Sequence, residues 1–215
     1  MKITTILTTR SKSCHVKTLH TILRLNLKCL ERGVNNEIVF VNDDPYEKSD
    51  VITDALKKNP DKILFVDFGV GMDDDSILQV FEKHEGIGCL VFPGVKEGID
   101  WGLFKAKVRD DECLEPNSQM GLHFDTEVGR KVSENIHVVD STSARVWIMN
   151  CKNASKFIKD KKNGSIKILP RAENMFAKFK ENGMKIHAFT AAKLTMTYSH
   201  ECVSNILNAA GVSTN

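Results

Sequence analysis

KILFVDFGVGMDDDS, residues 62–76, is the stretch on which the fold turns. Lys62 to Val66 is a short run rich in apolar and β-branched residues, and Asn59-Pro60-Asp61 breaks the chain just before it. Such a run predicts a buried strand. The strand ends on an acid, Asp67, in the loop Asp67-Phe68-Gly69-Val70-Gly71. Asp73-Asp74-Asp75-Ser76 then stands before a helical pattern from Ile77 to His84, where acids suit the positive end of the helix dipole. Strand, acid-bearing loop and helix in this order form one unit of a parallel α/β sheet.

The flanking sequence repeats the unit. Ile3 to Thr9 (ITTILTT) predicts a first strand, followed by the polar loop Arg10-Ser11-Lys12-Ser13. From His15 to about Arg32, Leu19, Ile22, Leu23, Leu27 and Leu30 form a helical stripe, and Gly33 sits at the C-cap position. Glu37 to Val41 (EIVFV) predicts a second strand, ending in Asn42-Asp43-Asp44-Pro45. A short helix capped by Ser49 or Asp50 reaches Leu56. Gly88 to Phe92 (GCLVF) predicts a fourth strand. Strands alternating with helices at this spacing predict an α/β fold, a three-layer αβα arrangement around a mostly parallel sheet.

The second half reads differently. Residues 93–135 are loop-rich, with Gly94, Gly98, Gly102, Pro116 and Gly121. Ile136–Val139, Val146–Met149, Lys185–Phe189 and Leu194–Tyr198 predict strands. Ala154–Lys161 and Glu173–Glu181 predict helices, and Asn182-Gly183 stops the second. With no linker or repeat, one domain spans residues 1–215. Its N-terminal half (1–92) is α/β and its C-terminal half (93–215) is mixed and loop-rich.

Composition narrows the function class. The chain has 215 residues, 41% apolar and 27% charged, an ordinary globular make-up that excludes disordered and collagenous classes. Lys and Arg (30) against Asp and Glu (28) leave a net charge of +2, too small a field for a dedicated nucleic-acid binder. Lysine-rich stretches at 152–167 and 178–193 read as a solvated face. The six cysteines show no C-x-x-C spacing, so they make neither a zinc ribbon nor a redox pair. With no secretory signal and no apolar run near the bilayer length of about 18 residues, the expectation is a soluble, cytoplasmic protein most of whose thiols are core residues.

In an open parallel sheet, ligands bind beyond the carboxyl ends of the strands. That rule selects Thr8-Thr9-Arg10, Asn42-Asp43-Asp44 and Asp67-Phe68-Gly69. An arginine fork matches phosphate oxygens, and a carboxylate can accept from sugar hydroxyls or hold a hard cation. Together they suggest a nucleotide. The familiar alternatives are missing: there is no G-x-G-x-x-G, no G-x-x-x-x-G-K-[ST] and no G-x-S-x-G. His84, His123 and His137 show no carboxylate partner at metal spacing and read as surface residues.

The order ITTILTTR, EIVFVNDD, ILFVDFGVGMDDDSI resembles the nucleotide-sugar half of the GT-A fold glycosyltransferases. LVFPGVKEGIDWGLF (90–104) resembles the following stretch in small members encoded by large DNA viruses and phages. STSARVWIM (141–149), PRAENMFAKF (170–179), Gly183-Met184-Lys185-Ile186 and Ser199-His200 continue the resemblance to the chain end. It implies a glycosyltransferase moving a sugar from a nucleotide diphosphate sugar, UDP-linked, to an acceptor hydroxyl on a glycan or glycoprotein, with Mn²⁺ or Mg²⁺ as cofactor. It also suggests a viral source, and with it a host-cytoplasmic location and capsid or surface glycans as acceptors.

The resemblance implies these roles. Thr8, Thr9 and Arg10 line the donor nucleotide, and Asp43, with Asp44 beside it, contacts uracil or ribose. Asp67 matches the first acid of the D-x-D landmark and His200 a late metal-site histidine. Asp100 and Trp101 lie near donor sugar and acceptor. Glu173 matches the first acid of an E-D pair, whose second acid is the usual general base. Glu173 or Asp100 would then assist the acceptor. The chain departs from the pattern at Gly69 and Asn174, where acids are expected, and at Ala144-Arg145. Asp73 and Asp75 could replace the missing metal acid, or simply cap a helix. A second class therefore stands beside the enzyme: a GT-A-like nucleotide- or glycan-binding or structural module without catalysis.

Overall fold

In the computed structural model, residues 1–96, 98–110, 113–114, 120–159 and 164–197 are described. The chain divides into two units, Met1–Gly94 with Asp125–Thr195, and Val95–Phe124 with Met196–Asn215. In chain order the first unit begins with β1 (Lys2–Thr9), α1 (Val16–Glu31), β2 (Asn35–Asn42), α2 (Pro45–Lys57) and β3 (Lys62–Val66). β4 (Val70–Gly71), α3 (Asp74–Leu78) and β5 (Cys89–Val91) follow. The second unit contributes α4 (Trp101–Val108). The first unit resumes with β6 (Thr126–Ser133), β7 (Ile136–Thr142), β8 (Val146–Asn150), α5 (Cys151–Ala154), α6 (Ala172–Glu181) and β9 (Ile186–Phe189).

Eight strands form one sheet in the order β2-β1-β3-β8-β5-β9-β7-β6. β1 pairs parallel with both β2 and β3, so the N-terminal part is a parallel sheet. β8 then enters antiparallel between β3 and β5, and β5 resumes parallel to β9. Antiparallel β7 and β6 close the far side. The fold is of the α/β class expected, with helices on a large central sheet that is parallel at the N-terminal end and mixed beyond it. β5 belongs to the first 92 residues, yet both its neighbours come from beyond residue 145.

Side-chain alternation assigns the layers. Ile6, Ile63 and Phe65 join a buried cluster with Ile52, Ala55 and Leu56 of α2 and Met175, Phe176 and Phe179 of α6. Phe65 and Trp147 are register partners on β3 and β8, and their rings stack at 5.1 Å. Phe176 meets Trp147 edge-on at 6.0 Å, so α6 is seated on the β3–β8 seam. On the opposite face α1 buries Thr18, Thr21, Ile22, Leu25 and Cys29. β1 and β3 are covered on both faces, which accounts for their near-continuous burial.

α1 departs from the rule that an apolar stripe faces the core. Leu19, Leu23, Leu27 and Leu30 are 43–78% exposed, and Val16 continues the row at 75%. Of the stripe quoted above, Ile22 alone is buried; Thr18, Thr21, Leu25 and Cys29 make up the rest of the buried side. Other expectations change in extent. The Ile77–His84 helix is α3, Asp74–Leu78; of the Ala154–Lys161 helix only Ala154 is helical, as the last residue of a single turn, Cys151–Ala154, residues 155–159 being turn, bend and bridge and 160–161 lying outside the described residues. The Leu194–Tyr198 strand is β10 (Thr195–Met196). β6 is a strand where the sequence showed only loop: it lies at the end of the sheet with shifts in its pairing register, and all but Thr126 is exposed or partly exposed, so no buried face leaves an alternating apolar pattern. Cys29, Cys89 and Cys151 are buried core residues; burial pushes the Cys151 thiol up to about 12. Among the described residues no helix is long and apolar enough to cross a membrane.

Candidate functional site

The carboxyl ends of β1, β2 and β3 lie side by side, and β8 starts at the same edge because it runs the other way. Four backbone segments therefore present polar residues together. Arg10 opens a tight turn, with hydrogen bonds exchanged between Arg10 and Ser13 and positive φ at Ser11 and Lys12. The Asp43 N–H donates to Thr9 O at 2.8 Å, tying the ends of β1 and β2. Asp44 caps α2, its carboxylate accepting from the Tyr46 and Glu47 N–H groups at 2.9 Å, as N-cap acids do. That cap starts α2 at Pro45 and places Lys48 one turn in. The Asp67 N–H donates to Arg145 O at 2.9 Å.

These four segments build one line of alternating charge. Arg10 Nε pairs with Asp43 at 2.6 Å. Lys48 Nζ bridges Asp43 and Asp67, lying 3.1 Å from Asp67 Oδ1. Arg145 Nε takes Asp67 Oδ2 at 3.1 Å, and its Nη2 donates to Phe68 O at 2.5 Å. Side-chain exposure falls along the line from 34% at Arg10 to 11% at Arg145. The outer pair is thus partly screened, while the inner pairs are desolvated and costly to break from one side. Burial pushes the Asp43 carboxyl up, but hydrogen bonds from Lys48 and Arg10 outweigh it and hold Asp43 below the usual carboxylate range. Phe68 is gripped between the Arg10 guanidinium, 5.0 Å from its ring centre, and the His15 ring, edge-on at 5.7 Å.

Asp67, Lys48 and Arg145 also line a cavity of about 320 Å³. Its wall also includes Ser49 of α2, Arg171 at the N-cap of α6, Glu173 of α6, and Phe65 and Trp147. Ligand pockets usually run from roughly 300 to 1,000 Å³, so this one, at the small end, suits a diphosphate with one sugar ring rather than a whole nucleotide sugar. α6 begins at this wall with no side-chain cap.

The structure thus brings together Arg10, Asp43, Asp67 and, across the cavity, Glu173. It adds Lys48 and Arg145, which the sequence did not single out as ligand contacts. A lysine one turn into a helix and an arginine before a strand carry no local signal; only the β3–β8 pairing puts Arg145 beside Asp67. Thr8 and Thr9 are buried, and the Thr9 hydroxyl donates to Val41 O at 3.0 Å. Asp125 was also missed. It lies just past the end of β5, where its Oδ1 accepts from the Gly94 N–H at 3.1 Å and the Thr126 hydroxyl at 2.7 Å. It is 4% exposed, and burial raises its pKa.

In the second unit Asp100 caps α4 and Trp101 opens that helix, its ring edge-on to Phe104 at 5.8 Å. His123 Nε2 lies 2.9 Å from Asp100 Oδ2, so this histidine has a carboxylate partner after all; the two are 23 residues apart, beyond the reach of a spacing rule. The Leu103 N–H and His123 hold the Asp100 carboxyl below its usual range. His200 lies outside the described residues.

The acids do not suit a divalent ion. Both Asp67 oxygens carry cationic partners, so a dication there would face two resident positive charges. Among the described residues no group of three His, Cys, Asp or Glu side chains converges as the ligand set of a hard dication does. Asp73 caps α3 and Asp74 pairs with Arg24, which accounts for two of the three consecutive acids. At Gly69 the backbone is left-handed, with φ of +76°, a conformation that disfavours the acid expected at that position.

No protein-family model and no curated protein sequence matches the chain. Solved structures do. A197 from STIV superposes with a TM-score of 0.51 at 12% identity, covering 93% of this chain and 87% of that one; the likeness is one of fold. GalNAc-T7, crystallised with UDP, GalNAc and Mn²⁺, gives 0.49 at 7% identity; 93% of this chain covers 44% of that protein. A putative glucose-1-phosphate thymidylyltransferase from Bacillus anthracis gives 0.47 at 9% identity, covering 99% and 96%.

Proposed function

We propose that the protein is a glycosyltransferase that takes its sugar from a nucleotide diphosphate donor, a UDP-sugar, and passes it to an acceptor hydroxyl of a glycan or glycoprotein. The observation that carries this reading is the charged line Arg10–Asp43–Lys48–Asp67–Arg145 at the carboxyl edge of a GT-A-like sheet, with Glu173 across the adjoining cavity. Asp43 and the Arg10–Phe68 pair address the nucleoside. The cavity receives the diphosphate and the sugar. The acceptor oxygen bonds to the anomeric carbon as the bond from that carbon to the diphosphate oxygen breaks. The electron pair leaves with the diphosphate, and the hydroxyl proton passes to Glu173.

Calorimetry with a panel of UDP-sugars, beside an assay for donor hydrolysis, tests the reading. Binding in the millimolar range or tighter, slow release of free sugar by the parent, and loss of that release in Glu173→Gln are the expected results. No binding at millimolar donor removes the reading. The second class, a binding module without catalysis, draws on Asn174, whose amide cannot act as a base. Donor binding with no hydrolysis or transfer by the parent would select it.

A further inference from the structure

We infer that Lys48 and Arg145 hold the phosphoryl groups of an anionic ligand directly, in the position where the fold family's pattern calls for a divalent ion. Arg10, Lys48 and Arg145 supply three positive charges along the line, and Asp43 and Asp67 supply two negative ones. Lys48 and Arg145 stand at the inner, least exposed end and line the cavity; Arg171 adds a guanidinium to its wall and Glu173 a carboxylate, while Asp125 acts on Arg145 from outside the line. A desolvated cation interacts with an anion far more strongly than an exposed one.

Hydrogen bonding leads to the same place. The Arg145 guanidinium spends Nε on Asp67 and Nη2 on Phe68 O, while Nη1 is buried with no hydrogen-bond partner among the described residues. An unmatched buried donor costs stability until something accepts from it. Arg presents a planar fork suited to phosphate, and Lys a point charge with three donors. Asp67 then acts as a counter-ion. It holds the two cations in place while the cavity is empty, and the arriving anion competes with it for them.

This inference takes its diphosphate from the glycosyltransferase reading, but the site can be tested with inorganic pyrophosphate alone. The full chain, stripped with EDTA, is titrated calorimetrically with pyrophosphate and with UDP. Each titration is repeated with Mn²⁺ and with Mg²⁺. Binding is expected in EDTA and to change less than about threefold on adding either ion. Arg145→Gln and Lys48→Met are each expected to weaken it about tenfold or more, as loss of one charge-assisted contact does. Asp67→Asn separates the two roles. A counter-ion's removal frees both cations and tightens pyrophosphate binding; a metal ligand's removal weakens it.

Circular dichroism confirms that each variant is folded, and Asp67→Asn decides the matter if the cation variants are not. Binding that needs Mn²⁺ or Mg²⁺, weaker binding by Asp67→Asn, unchanged binding by folded cation variants, or no pyrophosphate binding under any condition overturns the inference. Pyrophosphate binding without UDP-sugar turnover leaves the anion site standing and removes the glycosyltransferase. Turnover that requires Mn²⁺ does the reverse.

Discussion

Asp125 shows how a single side chain can set the pH response of the protein. Its carboxyl is almost wholly buried, one oxygen has no partner among the described residues, and burial raises its pKa. Folded chains then hold this proton more tightly than unfolded ones. Its contribution is most favourable below the unfolded aspartate value of about 3.9, and it is lost as pH rises through the higher folded value. Asp125→Asn keeps the Oδ1 acceptor for Gly94 and Thr126 and removes the titration. Urea unfolding of parent and variant from pH 4 to 7 should show the parent losing stability relative to Asp125→Asn as pH rises. A constant difference across that range would contradict the assignment. Gly69 makes a second residue-scale test. Its φ of +76° is left-handed, so Gly69→Ala should lose about 1 kcal/mol, read from the urea midpoint.

At the scale of elements, α1 separates pattern from packing. Leu23 and Leu25 are two positions apart on one helix, but Leu23 is 55% exposed and Leu25 is fully buried. Leu25→Ala should cost about 2–5 kcal/mol, while Leu23→Ala should stay within about 0.5 kcal/mol. Thermal melts of the two variants distinguish them, and equal losses would mean that the leucine row is covered. The sequence marked α1 as helical because its leucines recur at helical spacing. It could not show that Thr18, Thr21 and Leu25 lie on the buried side, because periodicity reports which side is apolar and not which side is covered. The site was legible in the same partial way. Arg10, Asp43 and Asp67 stood out because strand ends in a parallel sheet collect ligand contacts. Lys48 and Arg145 did not, since their places depend on a helix start and on an antiparallel pairing 78 residues away.

On the scale of the whole molecule, strands from before residue 92 and after residue 125 interleave in one sheet. β8 sits between β3 and β5, and the Phe65–Trp147–Phe176 stack bolts that seam to α6. A fragment ending at residue 92 would leave β5 with neither neighbour and expose one side of β3. It should show no cooperative urea transition by circular dichroism, whereas the full chain should. A sharp transition in the fragment would mean that the parallel part folds alone. The net charge of +2 also gains meaning at this scale. Charge is concentrated along one sheet edge, where three cations surround two acids.

Local periodicity determined the succession of strands and helices, the parallel N-terminal part of the sheet, and the polar residues at its carboxyl edge. These are properties of neighbouring residues, and a sequence carries them directly. Tertiary structure alone decided that β8 enters between β3 and β5, that α1 turns Leu19, Leu23, Leu27 and Leu30 outward while it buries Leu25, and that Lys48 and Arg145 close on the two oxygens of Asp67. Each depends on segments far apart in the chain, whose meeting is governed by the packing of the whole sheet rather than by any local spacing.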